Sequence, residues 1–515
     1  MSVDCLRVLI RMKNMNRLLL LSFLTITVLY FSNCMRDEDF VTDGSIELRF
    51  SADTLRFDTV FTEVGSATRS IKVYNDSDRP LKIGKVFLEQ GSNSKFRINV
   101  DGIPADEVEE VIVYAQDSIY VFAEVTVDPD DPLSVSPFII DENLFFETNG
   151  QQQRVILEAW GQNANYFPGR FNKGRAVRLT CNNSQINFDD PKPYVIYGVL
   201  IIDSCTVNIP AGTQIYVHGG IARNEAFGTF NDGIIITQNL GRIRARGTAE
   251  NPIVFQGDRL EEAFREADGQ WTGVLLSSGS AGNVFQHTTI KNSIFGVYVD
   301  SSATAILENA QIYNTTSSGI IGVHSRIDAR NVLVYNNGAN SLQVVHGGDY
   351  NFDYATLASY GVDASALGLS NFICYDDPLI CSQIGAYRLN ARFRNSIIFG
   401  SKTDQVLLSD ITGGEQPEGF NIRFENCVVG VEDLLTDFDG RYANFFEDLC
   451  TDCISGERSD PLFVNPSENN FELDSLSIAE GIGVPIKTPL PIATDLLGRL
   501  RDPEMPDAGS LERQQ

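Results

Sequence analysis

The sequence predicts an all-β chain, a β-sandwich followed by a parallel β-helix solenoid, and three patterns carry that expectation. Asparagine recurs at a fixed interval: Asn292, Asn314 and Asn336 are spaced by 22 residues, as are Asn309 and Asn331, and as are Ile290, Ile312 and Val334. A period of this size in short β-rich units marks a solenoid, whose units bury their apolar face only by stacking. At about 3.3 Å per strand residue and three bends per turn, such a repeat suits one coil of a parallel β-helix. The second pattern lies in residues 46–162, where short alternating strand segments are broken by turn signals, as in a sandwich. The third is the continuation of coil-like strands from residue 163 to the end: 284–299, 305–323, 326–345, 351–360, 392–399 and 422–429. An Asn held in one column can bond the Asn of the next coil, so Asn292, Asn314 and Asn336 are expected to form one side-chain ladder and Asn309 with Asn331 another.

Residues 1–33 read as a targeting segment. Arg7, Arg11, Lys13 and Arg17 form a basic region, and residues 18–31 form an apolar run of 14, short for a membrane span. Met15-Asn16-Arg17-Leu18 opens a more typical signal, so Met12 and Met15 are alternative starts. Phe31-Ser32-Asn33-Cys34 resembles a bacterial lipobox, with Asn33 where Gly or Ala is usual. The resemblance implies lipidation at Cys34; a plain signal peptide or uncleaved anchor is the alternative. Asp37, Glu38 and Asp39 follow, and acids there resemble the surface-export signal of Bacteroidetes lipoproteins. By that resemblance residues 34–45 are a lipidated acidic tether, and the protein sits on the cell surface at the outer membrane.

The 515 residues carry 40 Lys+Arg against 68 Asp+Glu, a net charge of −28, which disfavours nucleic acid as a partner. Scattered carboxylates can bind calcium weakly, but there is no contiguous D-x-D-x-D-G loop, so no cofactor or metal is expected. In an oxidising compartment Cys181 with Cys205, and Cys374 with Cys381, are plausible disulfides. Cys450-x-x-Cys453 has the spacing of a zinc half-site or redox pair. It lacks a second such pair, a nearby His and a βαβ context, so neither role is expected. Cys427 reads as a buried thiol.

In the first region Ser70–Tyr74, Leu81–Ile83, Tyr120–Val127 and Arg154–Ala159 read as strands, with a turn at 75–80. Val64-Gly65, Val73-Tyr74-Asn75 and Pro80-Leu81-Lys82-Ile83 resemble the "V-G…V-x-N…P-L-x-I" pattern of immunoglobulin-like modules of the ASH type. The resemblance covers about a hundred residues and implies an immunoglobulin-like sandwich over 46–162.

Further on, Ile209-Pro210-Ala211-Gly212-Thr213, then Gly241-Arg242-Ile243-Arg244-Ala245-Arg246-Gly247-Thr248, Asn251-Pro252-Ile253-Val254-Phe255 and Trp271–Leu276 are similar to right-handed parallel β-helix proteins of the pectin-lyase-like superfamily. The tail is similar too: Asp460–Val464, Ser477–Gly481, Asp495–Arg499 and Asp507–Glu512. The resemblance implies a right-handed parallel β-helix over 163–515 whose tail caps the open edge. It does not imply a reaction, because this fold serves many functions.

Relatives with this fold include polysaccharide lyases and glycoside hydrolases, which need charged groups converging from neighbouring coils. Positions 22 apart therefore give candidate columns. Glu308 with Arg330 reads as a surface ion pair. Lys291, Tyr313 and Tyr335 read as an aromatic stack between coils, with sugar stacking as the other reading. His287, Asn309, Asn331 and Asp353 read as a polar column. His324 with His346 reads as a stacked pair without a role, or else as a base and its partner. Asp349, Asp353, Asp376 and Asp377 lie near His346 in sequence. If there is chemistry, His324, His346, Asp349 and Asp353 are where it is expected. No paired-carboxylate motif stands out, so no catalytic residue is assigned. The expected function is a non-catalytic surface lipoprotein whose solenoid face contacts a polysaccharide or a surface protein. The alternative is a polysaccharide lyase or glycoside hydrolase acting on extracellular uronate-containing polysaccharide.

Overall fold

The structure is a computed structural model. It describes residues 40–514 apart from 43, 45–46, 62–67, 127–137, 163, 168–175, 182–183, 225–227, 261–263, 377–380, 437–439 and 489–490. The targeting segment, Cys34, most of the tether and Asp377 lie outside the described residues. The chain forms two compact units, Met1–Gln162 and Asn163–Gln515.

Among the described residues the first unit is a β-sandwich of two five-stranded sheets around one core. Alternation sets which side chains enter: along Arg69–Asn75, Ile71, Val73 and Asn75 are buried while Ser70 is exposed. Asn75 is a polar residue in that core, and its bonds explain it. Its amide donates to the carbonyls of Arg79 and Val113 at 2.9 Å and of Tyr114 at 3.1 Å, and its Oδ1 accepts from Ser77 N at 3.0 Å. One side chain thereby satisfies a turn's backbone groups that would otherwise be buried without partners.

The second unit is a right-handed parallel β-helix of three faces. The first two form one continuous 17-stranded parallel sheet and the third an 11-stranded one, among the described residues. On the first face, Gly273–Leu276, Val297–Val299 and the start of Ile320–Arg330 stack in register; on the second, Asn283–Gln286, Thr304–Glu308 and the end of Ile320–Arg330 do so. The third face includes Thr288–Ser293, Gln311–Thr315 and Leu333–Asn337. Its register pairs Ile290, Ile312 and Val334 at the 22-residue period, and Val334 with Leu357 one residue later.

That extra residue matters. On the bend between the first two faces Val323 pairs with Val345 but Ser325 pairs with Gly348, so Gly347 is inserted beside His346. Every residue beyond it moves by one. Asp353 therefore aligns with Arg330, not with Asn331 as the constant period predicts. The corner between the second and third faces holds His287, Asn309, Asn331, Tyr354, Asn395, Asn426 and Asp452, all at φ between 44° and 54°. Asn and Asp tolerate this left-handed geometry, which accounts for the asparagine period. Tyr354 is the bulky exception. Its ring lies 3.9 Å from the Arg501 guanidinium, and its hydroxyl donates to Val484 O at 3.3 Å.

The core is a single apolar column. Phe352, Phe393, Phe424 and Phe445 follow one another with ring centroids 5.4, 5.2 and 5.6 Å apart. Phe445 and Leu434, from the segment between the strands Val428–Val429 and Cys450–Thr451, are buried against that core. The tail does not cap the open edge as expected. Leu462, Phe463, Phe471, Leu473, Leu496 and Leu511 pack sideways onto Leu333, Tyr335, Ile397, Phe399 and Val428 of the third face. On the later coils the outward positions of that face are apolar, so this part of the sheet presents an apolar flank that the tail covers.

Candidate functional site on the second face

The ladders form in part. Asn331 Nδ2 donates to Asn309 Oδ1 at 2.9 Å, and Asn309 Nδ2 lies 3.1 Å from His287 Nε2. Asn336 Nδ2 donates to Asn314 Oδ1 at 2.6 Å. The expected link from Asn314 to Asn292 is absent. A loop wedges in: Asn314 donates to Glu266 O at 2.8 Å, and Asn292 to Ala267 O at 2.8 Å and Arg265 O at 3.1 Å. Both plausible disulfides are formed, Cys181–Cys205 and Cys374–Cys381.

Tyr313 and Tyr335 stack at 4.7 Å and 12°, with Lys291 Nζ 5.7 Å from the Tyr313 ring. They are not a free platform, because Phe471 of the tail sits 4.8 Å from Tyr335. Burial accordingly pushes the Tyr313 hydroxyl up to about 12, with the Glu266 charge adding to it.

His324 and His346 are neighbours, their ring centroids 5.8 Å apart, but the acids do not join them. Tyr387 packs 4.2 Å from His324 and 4.4 Å from His346, beneath a two-stranded hairpin of Phe372–Cys374 and Ile384–Ala386 closed by Cys374–Cys381. Burial lowers the His346 pKa, and the His324 charge lowers it further. Asp376 holds Ser382 inside the hairpin. Asp349 accepts from Asn390 Nδ2 at 2.6 Å. Asp353 is seven residues along the strand from His346, on the order of 20 Å at strand rise, and binds Arg394 through two bonds of 2.7 and 2.8 Å. The Arg394 pKa is raised even though burial opposes it, because Asp353 outweighs that cost. A base assisted by Asp349 or Asp353 is thus not assembled at the histidines.

The second face carries instead a surface that the sequence reading passed over. Its outward residues form three columns. One runs Asn208, Arg244, Val284, Ile306, Asp328, Asn351, Arg392, Arg423; the next runs Pro210, Arg246, Gln286, Glu308, Arg330, Asp353, Arg394, Glu425. The third includes Thr304, Arg326, Asp349, Asn390 and Asn421, with Arg242 beside Thr206 at its start. On a chain of net charge −28, these columns hold more arginines than acids. The acids are also mostly engaged. Asp328 accepts from Arg326 at 2.9 Å and from Asn351 at 2.9 Å. Glu308 and Arg330 are aligned as expected, but their charged groups stand farther apart than an ion pair. Arg244, Arg246, Arg330 and Arg392 have no side-chain partner among the described residues, and Arg246 and Arg392 are exposed. The signal was present: arginine alternates in Arg242–Arg246 and again at Arg392 and Arg394, which puts these side chains on one side of a strand. Among the described residues no group of three His, Cys, Asp or Glu side chains is arranged to hold a metal.

No family model and no curated protein matches the chain. Among solved structures, a protein of unknown function from Porphyromonas gingivalis W83 is 13% identical over 27% of this chain and 59% of its own, with a TM-score of 0.17. The ASH / PapD-like domain of human CEP192 is 8% identical over 25% of this chain and 96% of its own, with a TM-score of 0.18. The catalytic domain of a GH87 alpha-1,3-glucanase is 9% identical over 72% and 81%, with a TM-score of 0.14. With similarity this slight, the fold assignment rests on strand pairing alone.

Proposed function

We propose that this is a cell-surface lipoprotein that binds an acidic polysaccharide along the second face of its β-helix without cleaving it. The observation that carries the reading is the set of unpartnered arginines, Arg244, Arg246, Arg330 and Arg392, on a strongly acidic chain. Guanidinium groups bind carboxylate and sulfate through two parallel bonds, which suits uronate or sulfated polymers. Successive coils stand about 4.8 Å apart, so Arg392 and Arg423 on neighbouring coils offer closely spaced cations to a chain lying along the axis. The overall negative charge repels other polyanions unless they reach this face, which favours a specific contact over general adhesion.

The test is a binding panel of uronate, sulfated and neutral polysaccharides with duplex DNA as a further polyanion, at low and high salt, with depolymerisation followed in parallel. Binding of an acidic polysaccharide is expected to weaken with salt and to drop at least about tenfold, roughly 1.4 kcal/mol, in the Arg392→Ala/Arg423→Ala variant. Equal binding by that variant, or binding of neutral polymers or DNA alone, would overturn the reading. Catalysis has one specific foothold. Asp328 and Asp349 flank Arg326 on adjacent coils, offset by two residues, so their backbones are about 8 Å apart. Release of reducing or unsaturated ends by the native protein, lost in Asp328→Asn or Asp349→Asn with folding intact, would replace binding by hydrolysis or lysis. The anchor is tested separately. Cys34→Ala is expected to leave the membrane fraction and lose label from a fatty-acid analogue; equal labelling of both forms would refute lipidation.

A further inference from the structure

We propose that the last coil of the solenoid carries a thiol–disulfide exchange site, in which Cys453 reacts with an external disulfide and then closes onto Cys427, stapling the final coil to the one before it. The geometry comes from the corner residues. Asn426 and Asp452 occupy the same left-handed corner on successive coils, at φ of 54° and 52°. Cys427 and Cys453 each follow one of them. Val428 pairs with Ile454, and Ile454 N donates to Cys427 O at 2.8 Å. Cys427 and Cys453 are therefore neighbours across parallel strands, with Cα atoms about 4.8 Å apart, inside the span that a disulfide bridges. Cys450 aligns with Phe424 of the core column and packs against the same core. At the other end of the solenoid a disulfide already joins neighbouring coils: Cys181–Cys205 links residues 24 apart in sequence with a Cα separation of 5.1 Å.

All three thiols at this end are free. Their surroundings divide the roles. Cys427 is fully buried, and its thiol donates to Phe393 O at 3.4 Å and to Glu425 O at 3.3 Å. Burial and then Cys453 push its pKa up. Cys450 is also raised, by Cys453 first and by burial second. Cys453 is lowered, by its neighbours Cys427 first and Cys450 second, and it is partly exposed. Cys453 is the partly exposed thiol that stands opposite Cys427 across the two coils, which makes it the one to meet an external disulfide and then pass it inward. Its sulfur attacks a disulfide such as oxidised glutathione, forming a mixed disulfide and releasing one glutathione thiolate. The Cys427 thiol then gives up its proton and attacks the Cys453 sulfur, expelling the second glutathione. Two electrons pass from the cysteine pair to the oxidant, and two reduced glutathiones leave.

The full chain is to be incubated with oxidised glutathione, alkylated and mapped by peptide mass spectrometry. A linked Cys427–Cys453 peptide pair is expected, with Cys450 still alkylated. Cys453→Ser is expected to abolish glutathione uptake at Cys427 and Cys450. Should that variant fail to fold, the native protein decides: Cys453 is expected to be alkylated faster than Cys450 and Cys427 at acidic pH. Three thiols still free after oxidation, a dominant Cys450–Cys453 link, or equal alkylation rates would overturn the proposal.

Discussion

The second and third faces of the solenoid share one strand alternation and one set of coils, yet their outer surfaces have opposite fates. On the later coils of the third face the outward positions are Leu333, Tyr335, Ile397, Phe399 and Val428, and the tail covers them with Phe463, Phe471 and Leu473. On the second face the outward positions are mostly Arg, Asp, Asn and Glu, and among the described residues the tail's apolar cluster does not extend over them; only the last, Arg423, is held by a neighbouring segment, donating to Asp448 O. An apolar flank of this length exposed to water would be an association hazard, so its cover is part of the fold. A charged flank needs no cover, and its uncompensated cations remain for a partner. The difference teaches that a column repeating every coil is not thereby a binding surface. The tyrosine stack is the most sugar-like feature in the sequence, and it belongs to the core.

The largest expected effect tests the cover. Phe471 is buried against Tyr335, Phe463 and Tyr360, so Phe471→Ala is expected to cost about 3–5 kcal/mol in denaturant unfolding and to raise binding of an apolar dye. A loss under about 1 kcal/mol would mean that the tail rests on the face without stabilising it. Next comes the one strongly paired acid of the open face. Asp353→Asn keeps the shape but leaves Arg394 without its carboxylate, an expected cost of about 3 kcal/mol because both groups are largely shielded from water. If the unfolding midpoint does not move, the pair is available to a ligand and the boundary between structural and binding residues shifts. Asn314→Leu strands the Asn336 amide and the Glu266 carbonyl, for an expected loss of about 1–3 kcal/mol. An unchanged midpoint would show that solvent replaces both bonds. The smallest effect on stability belongs to the exposed arginine: Arg392→Ala is expected to stay within about 0.5 kcal/mol of the native protein while weakening acidic polysaccharide binding. Marked destabilisation there would place Arg392 in the fold and remove it from the proposed surface.

Much of the architecture was legible in the chain alone. Alternation gives strands, the 22-residue interval gives stacked coils, and the asparagines mark a left-handed corner because few other residues accept that geometry. These are local requirements of the backbone, met wherever the motif occurs. Which side chains meet was decided only in three dimensions. Gly347, inserted on a bend, moved Asp353 out of the asparagine column, into register with Arg330 and against Arg394. The 265–267 loop captured Asn292 and Asn314 before they could bond each other. Phe471 of the tail, 136 residues beyond Tyr335 in sequence (471 − 335), turned the Tyr313–Tyr335 stack into core. Coils of unequal length brought Cys427 onto Cys453, a contact that no fixed period contains. The period of a repeat is set by backbone geometry within a coil. Register after an insertion, and the cover laid over a face, depend on contacts between segments far apart in the chain, and those carry no local signature.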